Sequence, residues 1–184
     1  MSAYVESTRA EIVRRLAEGD SAVEILNEIC RAFETNVPGT KAGVTILDRS
    51  RGRFESATFP SLSPTYAEAL AGIAVADTPG SCALAVSEGR TVVSTDVAAD
   101  TRFAEAWKQL GAEHGLEALV SIPVMSADRK ALGTFVVAYP PKAGLRREDL
   151  QAADAFAELC APVLDRRLAM GETTVSAPIQ SQHA

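Results

Sequence analysis

The sequence predicts an α+β domain in which helices cover one face of an antiparallel sheet. Apolar residues recur at helical spacing near both ends of the chain, and short β-branched runs bounded by turn residues fill the middle. The chain has 184 residues, which suits one domain and leaves little room for a second. Strands enclosed between long terminal helices favour a sheet with those helices packed on one side.

Two helices are predicted at the N-terminal end. A helix over residues 1–20 carries a small apolar patch among Glu and Arg. Ser21 and Glu24 have the spacing of a capping box, which starts a second helix, and Pro38-Gly39 ends it. The apolar stripe of this second helix consists of Ala22, Ile25, Leu26, Ile29 and Phe33.

The middle of the chain predicts strands and short helices. Residues 42–47 are apolar and β-branched, and residues 54–59 follow a polar turn as the second strand of a hairpin. Ser63-Pro64 starts a helix, because proline at the first helical position loses no hydrogen bond. The other predicted elements are that helix up to Gly72, a helix over 82–87, a strand over 91–94, a helix within 100–114, and strands over 119–125 and 132–139.

The last predicted helix runs from about Glu148 to Leu168. Pro162 lies inside it, and a proline within a helix costs about 3 kcal/mol, so we expect a kink or an early end there. Residues 171–184 are polar and lack periodicity, which predicts a mobile tail.

Composition excludes several classes of partner. The formal net charge is -6, so nucleic acid is not expected as a partner, because binding to phosphates needs a basic surface. No apolar stretch approaches the roughly 18 residues of a membrane span, and the N-terminal residues do not form a signal peptide. Three widely spaced cysteines predict neither a disulfide framework nor a thiolate zinc site. We therefore expect a cytoplasmic protein that does not engage a membrane.

Six short segments together resemble bacterial GAF domains of signalling proteins. They keep that family's order and extend roughly from Leu26 to Arg166. The segments are Pro60–Tyr66, Pro79-Gly80-Ser81-Cys82, Asp96 with Asp100-Thr101-Arg102-Phe103, His114-Gly115-Leu116, Ser121-Ile122-Pro123-Val124 and Leu132-Gly133-Thr134-Phe135.

The resemblance implies a PAS-related sheet of about six antiparallel strands within a domain over residues 21–170. Terminal helices would pack on one face, and small helices and loops would enclose a pocket on the other. Such pockets bind cyclic nucleotides, tetrapyrroles, simple anions or metabolites, and no particular cofactor is indicated for this chain. By their positions in the resemblance, the candidate ligand-binding residues are Phe59, Ser81, Cys82, Phe103, Trp107, Ser121 and Thr134.

Three departures from the family pattern lie near the expected pocket. Ala83 stands where the family commonly has glycine, Glu117 where it has arginine, and Leu119-Val120 where it often has Cys-Trp. A basic and an aromatic side chain are therefore missing. A ligand that depends on that arginine would be replaced by a different one or would bind weakly.

Several candidate residues have two interpretations. Cys82 at a helix start is either a reactive thiolate or a buried packing residue, and packing is favoured. Cys30 and Cys160 lie on helix stripes and are expected to pack. The helix start at Gly80-Ser81 could bind an anion, or Ser81 could simply cap its own helix. His114 is interpreted as a helix-end residue rather than a ligand.

The expected function is that of a sensory or regulatory module and not of an enzyme. No nucleophile with a paired base, no carboxylate pair, no metal-ligand cluster and no glycine-rich phosphate loop is evident. No kinase, cyclase or DNA-binding segment accompanies the domain, so we expect it to act on a signalling partner in trans or through a homodimer of the terminal helices. The alternatives are a free methionine sulfoxide reductase that uses Cys82, and a ligand-free interaction scaffold.

Overall fold

The structure, a computed structural model, describes residues 3–76, 79–140 and 144–171. Six helices and five strands form within those ranges, and their order confirms the predicted α+β class. The elements are α1 (Ala3–Glu18), α2 (Ala22–Asn36), β1 (Lys41–Asp48), β2 (Arg53–Thr58), α3 (Pro64–Leu70), α4 (Ser81–Glu88), β3 (Val92–Ser94), α5 (Glu105–Glu113), β4 (Ala118–Met125), β5 (Ala131–Tyr139) and α6 (Arg147–Met170).

The strands form one sheet in the order β2-β1-β5-β4-β3, and every neighbouring pair is antiparallel. The expected count of about six strands is corrected to five within the described ranges. The chain that follows β2 turns into α3, and afterwards Ala74 makes only an isolated bridge with Arg53. A single bridge leaves no ladder to extend into a further strand.

The predicted capping box at the start of α2 is confirmed. The Ser21 hydroxyl accepts a hydrogen bond from the Glu24 N–H at 3.3 Å, and the Glu24 carboxylate accepts from the Ser21 N–H at 3.2 Å. At the preceding turn, the Arg166 guanidinium of α6 donates to the Leu16 carbonyl at 2.8 Å and to the Asp20 carbonyl. The end of α1 is thereby joined to the last helix.

Helix α6 continues through Pro162 to Met170, so the early end that we considered is wrong. Pro162 lies on the exposed side, while Val163 and Leu164 beside it are buried against the sheet. Burial of that stripe offsets the lost backbone hydrogen bond. The helix ends at Gly171, whose φ of 64° is the left-handed conformation that glycine adopts easily. The tail predicted beyond this glycine lies outside the described residues.

The terminal helices cover one face of the sheet with an apolar core. The ring of Phe156 on α6 lies 5.2 Å from that of Phe33 on α2 and 6.1 Å from that of Phe135 on β5. Cys30 and Cys160 are fully buried in the same core, as predicted for packing residues, and burial raises the pKa of both thiols. We call this side the helix face.

The other side carries α3, α4 and α5, and we call it the pocket face. Glycine at one strand position lets a covering side chain approach this face closely. A Cβ atom at Gly43 would lie 1.9 Å from the Phe59 ring. This glycine therefore lets the Phe59 ring pack directly on the sheet.

Candidate functional site

A cavity lies on the pocket face between the sheet and the three short helices. Its walls are mostly aromatic and aliphatic side chains, together with the N-terminal turn of α4. The lining residues are Phe54, Tyr66, Leu70, Gly80, Ser81, Cys82, Ala83, Val97, Phe103, Trp107, Gly111, Leu116 and Leu119.

The cavity is small. About 30 Å³ is open to the centre of a water-sized molecule, and one water needs roughly 10–15 Å³ by this measure. The space therefore admits a compact ligand of a few heavy atoms without rearrangement. A larger ligand would have to displace the covering side chains.

The cover over the cavity comes from Trp107 and Phe103. The indole of Trp107 lies directly on Gly80, where a Cβ atom would come within 2.8 Å of the indole Cδ1. Phe103 is positioned by its neighbour Arg102, which donates to Asp100 at 2.9 and 2.6 Å and to the Val93 carbonyl at 2.7 Å. These bonds fix the loop before α5 against the edge strand β3.

Hydroxyl and thiol groups lie beneath the cavity, between α4 and the sheet. The Ser121 hydroxyl donates to the Ser81 hydroxyl at 2.9 Å and lies 3.6 Å from the Cys82 sulfur. One strand further, the Thr45 and Thr134 hydroxyls are 2.7 Å apart. All five side chains are buried, so each hydrogen bond satisfies a group that would otherwise be desolvated without a partner.

Cys82 is a protonated thiol in this setting. Burial raises its pKa, and hydrogen bonds from Thr134, Ser121 and Ser81 offset the effect only in part. A reactive thiolate needs the opposite shift. The other two cysteines belong to the helix-face core, on the far side of the sheet.

Four of the seven predicted ligand-binding residues line the cavity: Ser81, Cys82, Phe103 and Trp107. The other three do not line it. Phe59 packs on Gly43 and meets the Tyr66 ring at 4.9 Å, while Ser121 and Thr134 belong to the layer beneath. The interpretation of Ser81 as a helix cap is wrong, because Gly80 is the N-cap and the Ser81 hydroxyl accepts from Ser121 instead.

Tyr66 is a site residue that sequence reasoning missed. It lines the cavity and is 7% exposed, and its ring packs against Phe59 and, at 5.2 Å, against His114. Burial, and to a lesser extent the neighbouring Cys82, raises the pKa of its hydroxyl. Its place in the segment Pro60–Tyr66, which carried the family resemblance, was the signal available in the sequence.

His114 is the C-cap residue of α5, which confirms its predicted place at a helix end. Its backbone N–H donates to the Leu110 and Gly111 carbonyls, both at 3.2 Å, and its ring contacts Tyr66 from outside the cavity. Across residues 3–76, 79–140 and 144–171, no three His, Cys, Asp or Glu side chains are grouped to hold a metal ion.

None of the described residues that line the cavity has a charged side chain. The N-terminal turn of α4 borders the cavity, and a helix dipole stabilises an anion by about 0.3–1 kcal/mol. Desolvating an ion costs several kcal/mol in proteins. The dipole of α4 alone therefore does not offset that cost.

Known proteins share this fold and part of this sequence. The chain is 28% identical over 164 residues to a methyl sulfide methyltransferase-associated sensor of Methanosarcina acetivorans, an alignment that covers 80% of this chain and 16% of the relative. This chain thus spans about a sixth of that relative's length.

Solved structures with low sequence identity have the same fold. The GAF domain of an Acinetobacter phosphoenolpyruvate-protein phosphotransferase superposes with a TM-score of 0.67 at 15% identity, covering 93% of this chain and 99% of that one. Free methionine-R-sulfoxide reductase from Neisseria meningitidis, solved with its substrate, has a TM-score of 0.64 at 15% identity, covering 90% and 91%.

The architecture defines a single-sheet α+β domain with a covered cavity on one face and terminal helices on the other. The profile of the GAF domain family matches residues 20–165. The chain therefore belongs to the GAF domain family. Among the described residues, no helix combines the length and the apolar character needed to cross a bilayer.

Proposed function

We propose that this domain is a sensory or regulatory binding module whose cavity on the pocket face takes a small molecule. The observation that carries the proposal is the covered cavity, walled by aromatic side chains and floored by buried hydroxyl and thiol groups. Ligand sites commonly combine an apolar wall with a few convergent polar groups. The relative in Methanosarcina acetivorans is named a sensor, which agrees with this role.

Thermal unfolding against a panel of small molecules tests the proposal. The panel contains nitrate and other small anions, cyclic nucleotides, haem, bilins, and neutral metabolites. A ligand at a hundredfold excess over its dissociation constant stabilises the native state by about 2.7 kcal/mol, which raises the melting temperature by roughly 5–10 °C. No shift with any compound would contradict the proposal and favour an interaction scaffold whose cavity stays unoccupied.

A cavity-filling variant locates the binding. Ala83→Val adds two carbons at the cavity wall, so we expect binding to be lost while the melting temperature is kept or rises. Ser87→Val, at the exposed end of the same helix, is the matched control and should bind as the unmodified protein does. Binding that survives Ala83→Val would place the ligand elsewhere.

We also propose that the terminal helices pass the signal on, through a homodimer or to a partner protein in trans. Helices α1 and α6 both lie on the helix face, and they carry exposed apolar side chains at Val13, Leu168 and Met170. Light scattering coupled to size-exclusion chromatography tests the dimer. A protein that is monomeric at all concentrations would exclude signalling through a homodimer and leave signalling to a partner protein in trans.

A reductase of free methionine sulfoxide is the second candidate, because Cys82 lines the cavity and reductases of this type share the fold. We favour binding over catalysis, since burial keeps Cys82 a thiol and the other cysteines lie across the sheet. A reductase assay with free methionine sulfoxide and a thiol reductant decides between them. Turnover that disappears in Cys82→Ser would establish the enzyme and overturn our choice.

A further inference from the structure

The charges and hydroxyl groups of the cavity wall distinguish between classes of ligand. This inference rests on the function proposed above. The described lining residues carry no charge, so a bound ion would have no charged side chain beside it there. An ion taken from water into such surroundings loses its hydration without compensation. A neutral molecule loses much less.

Two hydroxyl groups in the cavity wall differ in whether they already form a hydrogen bond within the protein. The Ser81 hydroxyl already accepts a hydrogen bond from Ser121 at 2.9 Å. No hydrogen bond joins the Tyr66 hydroxyl to another described residue, and its oxygen is not among the fully buried polar atoms that lack a partner, although the residue as a whole is more than nine-tenths buried. The hydroxyl therefore keeps contact with open space and can donate a hydrogen bond to a ligand there.

The Tyr66 ring cannot easily turn away from the cavity. Phe59 packs edge-on against it at 4.9 Å, and His114 packs against it at 5.2 Å. Phe59 in turn is held over Gly43, where no side chain competes for the space. The hydroxyl is therefore presented by a ring that its neighbours hold in place.

We infer that the cavity selects a small, neutral, largely apolar molecule with an acceptor oxygen, and that Tyr66 determines this specificity by donating a hydrogen bond to that oxygen. Aliphatic or aromatic primary amides and other carbonyl compounds have this chemistry. Their carboxylate counterparts have nearly the same shape and differ in charge, so they form matched probes.

The test uses pairs of amide and carboxylate: acetamide with acetate, isobutyramide with isobutyrate, and benzamide with benzoate. Each is titrated at pH 7.5, where the carboxylates are ionised. Binding is followed by calorimetry and by the fluorescence of Trp107, the single tryptophan of the chain, which lines the cavity. We expect at least one amide to bind and its carboxylate to bind at least tenfold more weakly.

Tyr66→Phe removes the hydroxyl and keeps the ring contacts. Amide binding should weaken about three- to tenfold, the usual effect of one hydrogen bond. Tyr139→Phe is the matched control, since Tyr139 is equally buried but lies outside the cavity lining, and it should leave binding unchanged. Equal amide binding by Tyr66→Phe and the unmodified protein would overturn the role of Tyr66.

The outcomes separate this inference from the proposed function. Carboxylates or nitrate that bind as tightly as amides, with binding lost in Ala83→Val, would overturn the neutral-ligand inference and support a sensor of anions. Absence of binding by every pair and by every panel compound would overturn both.

Discussion

The two faces of the sheet are built from alternate residues of the same strands, yet they differ in chemistry. On β4, Val120 and Ile122 point to the helix face, whereas Leu119 and Ser121 point to the pocket face. The helix face contains interlocking phenylalanines. The pocket face contains hydroxyls, a thiol, a close-packed glycine at Gly43 and a cavity. The comparison teaches that one sheet can carry a solid apolar core on one side and a cavity on the other, because the strand period separates the two sets of residues.

The largest expected effect tests whether stability belongs to the helix face. Phe156→Ala removes a ring that packs between Phe33 and Phe135, and should lower the free energy of unfolding by about 3–5 kcal/mol. Phe103→Ala, beside the existing cavity, should cost only about 1–2 kcal/mol, because its loss enlarges a space near the surface. Urea unfolding measures both. Equal losses of stability in the two variants would show that the helix face contributes no more to stability than the pocket face.

The next effect concerns the buried hydroxyls of the pocket face. Thr45→Val removes the bond to the Thr134 hydroxyl and the acceptor of the Thr134 N–H at 3.1 Å, and should cost about 1–3 kcal/mol. Thr134→Val leaves the second of these bonds in place and should cost less. The double variant should cost less than the sum of the two. Additive losses in urea unfolding would show that the two hydroxyls do not act as a pair.

A smaller effect is expected where Trp107 covers the cavity. Gly80→Ala places a methyl group 2.8 Å from the indole Cδ1, so the indole must move outward, at a cost of about 1 kcal/mol. The emission maximum of Trp107 should shift to the red as the indole enters water. Ser87→Ala, at the far end of α4, serves as the control, and an unchanged spectrum in Gly80→Ala would mean that the cover does not rest on this glycine.

The smallest effect is a pH dependence of the loop that holds Phe103. Hydrogen bonds from Arg102 hold the pKa of Asp100 well below its usual range. A lowered folded-state pKa contributes stability that is present above the unfolded value of about 3.9 and is lost as the pH falls through the folded value. Asp100→Asn should therefore lower the free energy of unfolding by about 0.5–1 kcal/mol at pH 7. The difference in stability between the variant and the unmodified protein, followed by thermal unfolding, should narrow towards pH 2. A stability difference that stays constant with pH would show that the ion pair of Asp100 and Arg102 does not cause it.

Sequence reasoning located the elements well because their signals are local. The capping box of Ser21 and Glu24, the stripe from Ala22 to Phe33, and the β-branched runs all act within one turn or one strand. Pro162 misled in part, because its cost is offset by burial against a sheet that is distant in sequence. The expected sixth strand does not form among the described residues, because Ala74 makes only an isolated bridge with Arg53, and no local pattern distinguishes such a bridge from a strand.

The site was predicted less completely for the same reason. Ser81, Cys82, Phe103 and Trp107 lie on the helices and loops that the resemblance marks, and they do line the cavity. Ser121 and Thr134 were assigned to the right face, but their depth depends on how closely α4 packs on the sheet. The importance of Tyr66 depends on its place in the cavity wall and on the rings that hold it there, and both are properties of the folded chain.

The bond from Arg166 to the Leu16 carbonyl has a consequence for how the protein is made. Its two residues are 150 positions apart, and α6 also supplies Phe156 to the helix face. During synthesis the five strands are made before α6, so the part of the helix face that α6 covers on β4 and β5 is exposed while they assemble. The nascent chain therefore exposes Val120, Ile122 and Val137 until about residue 170 has emerged, which makes this part of the face the one that a chaperone would have to shield.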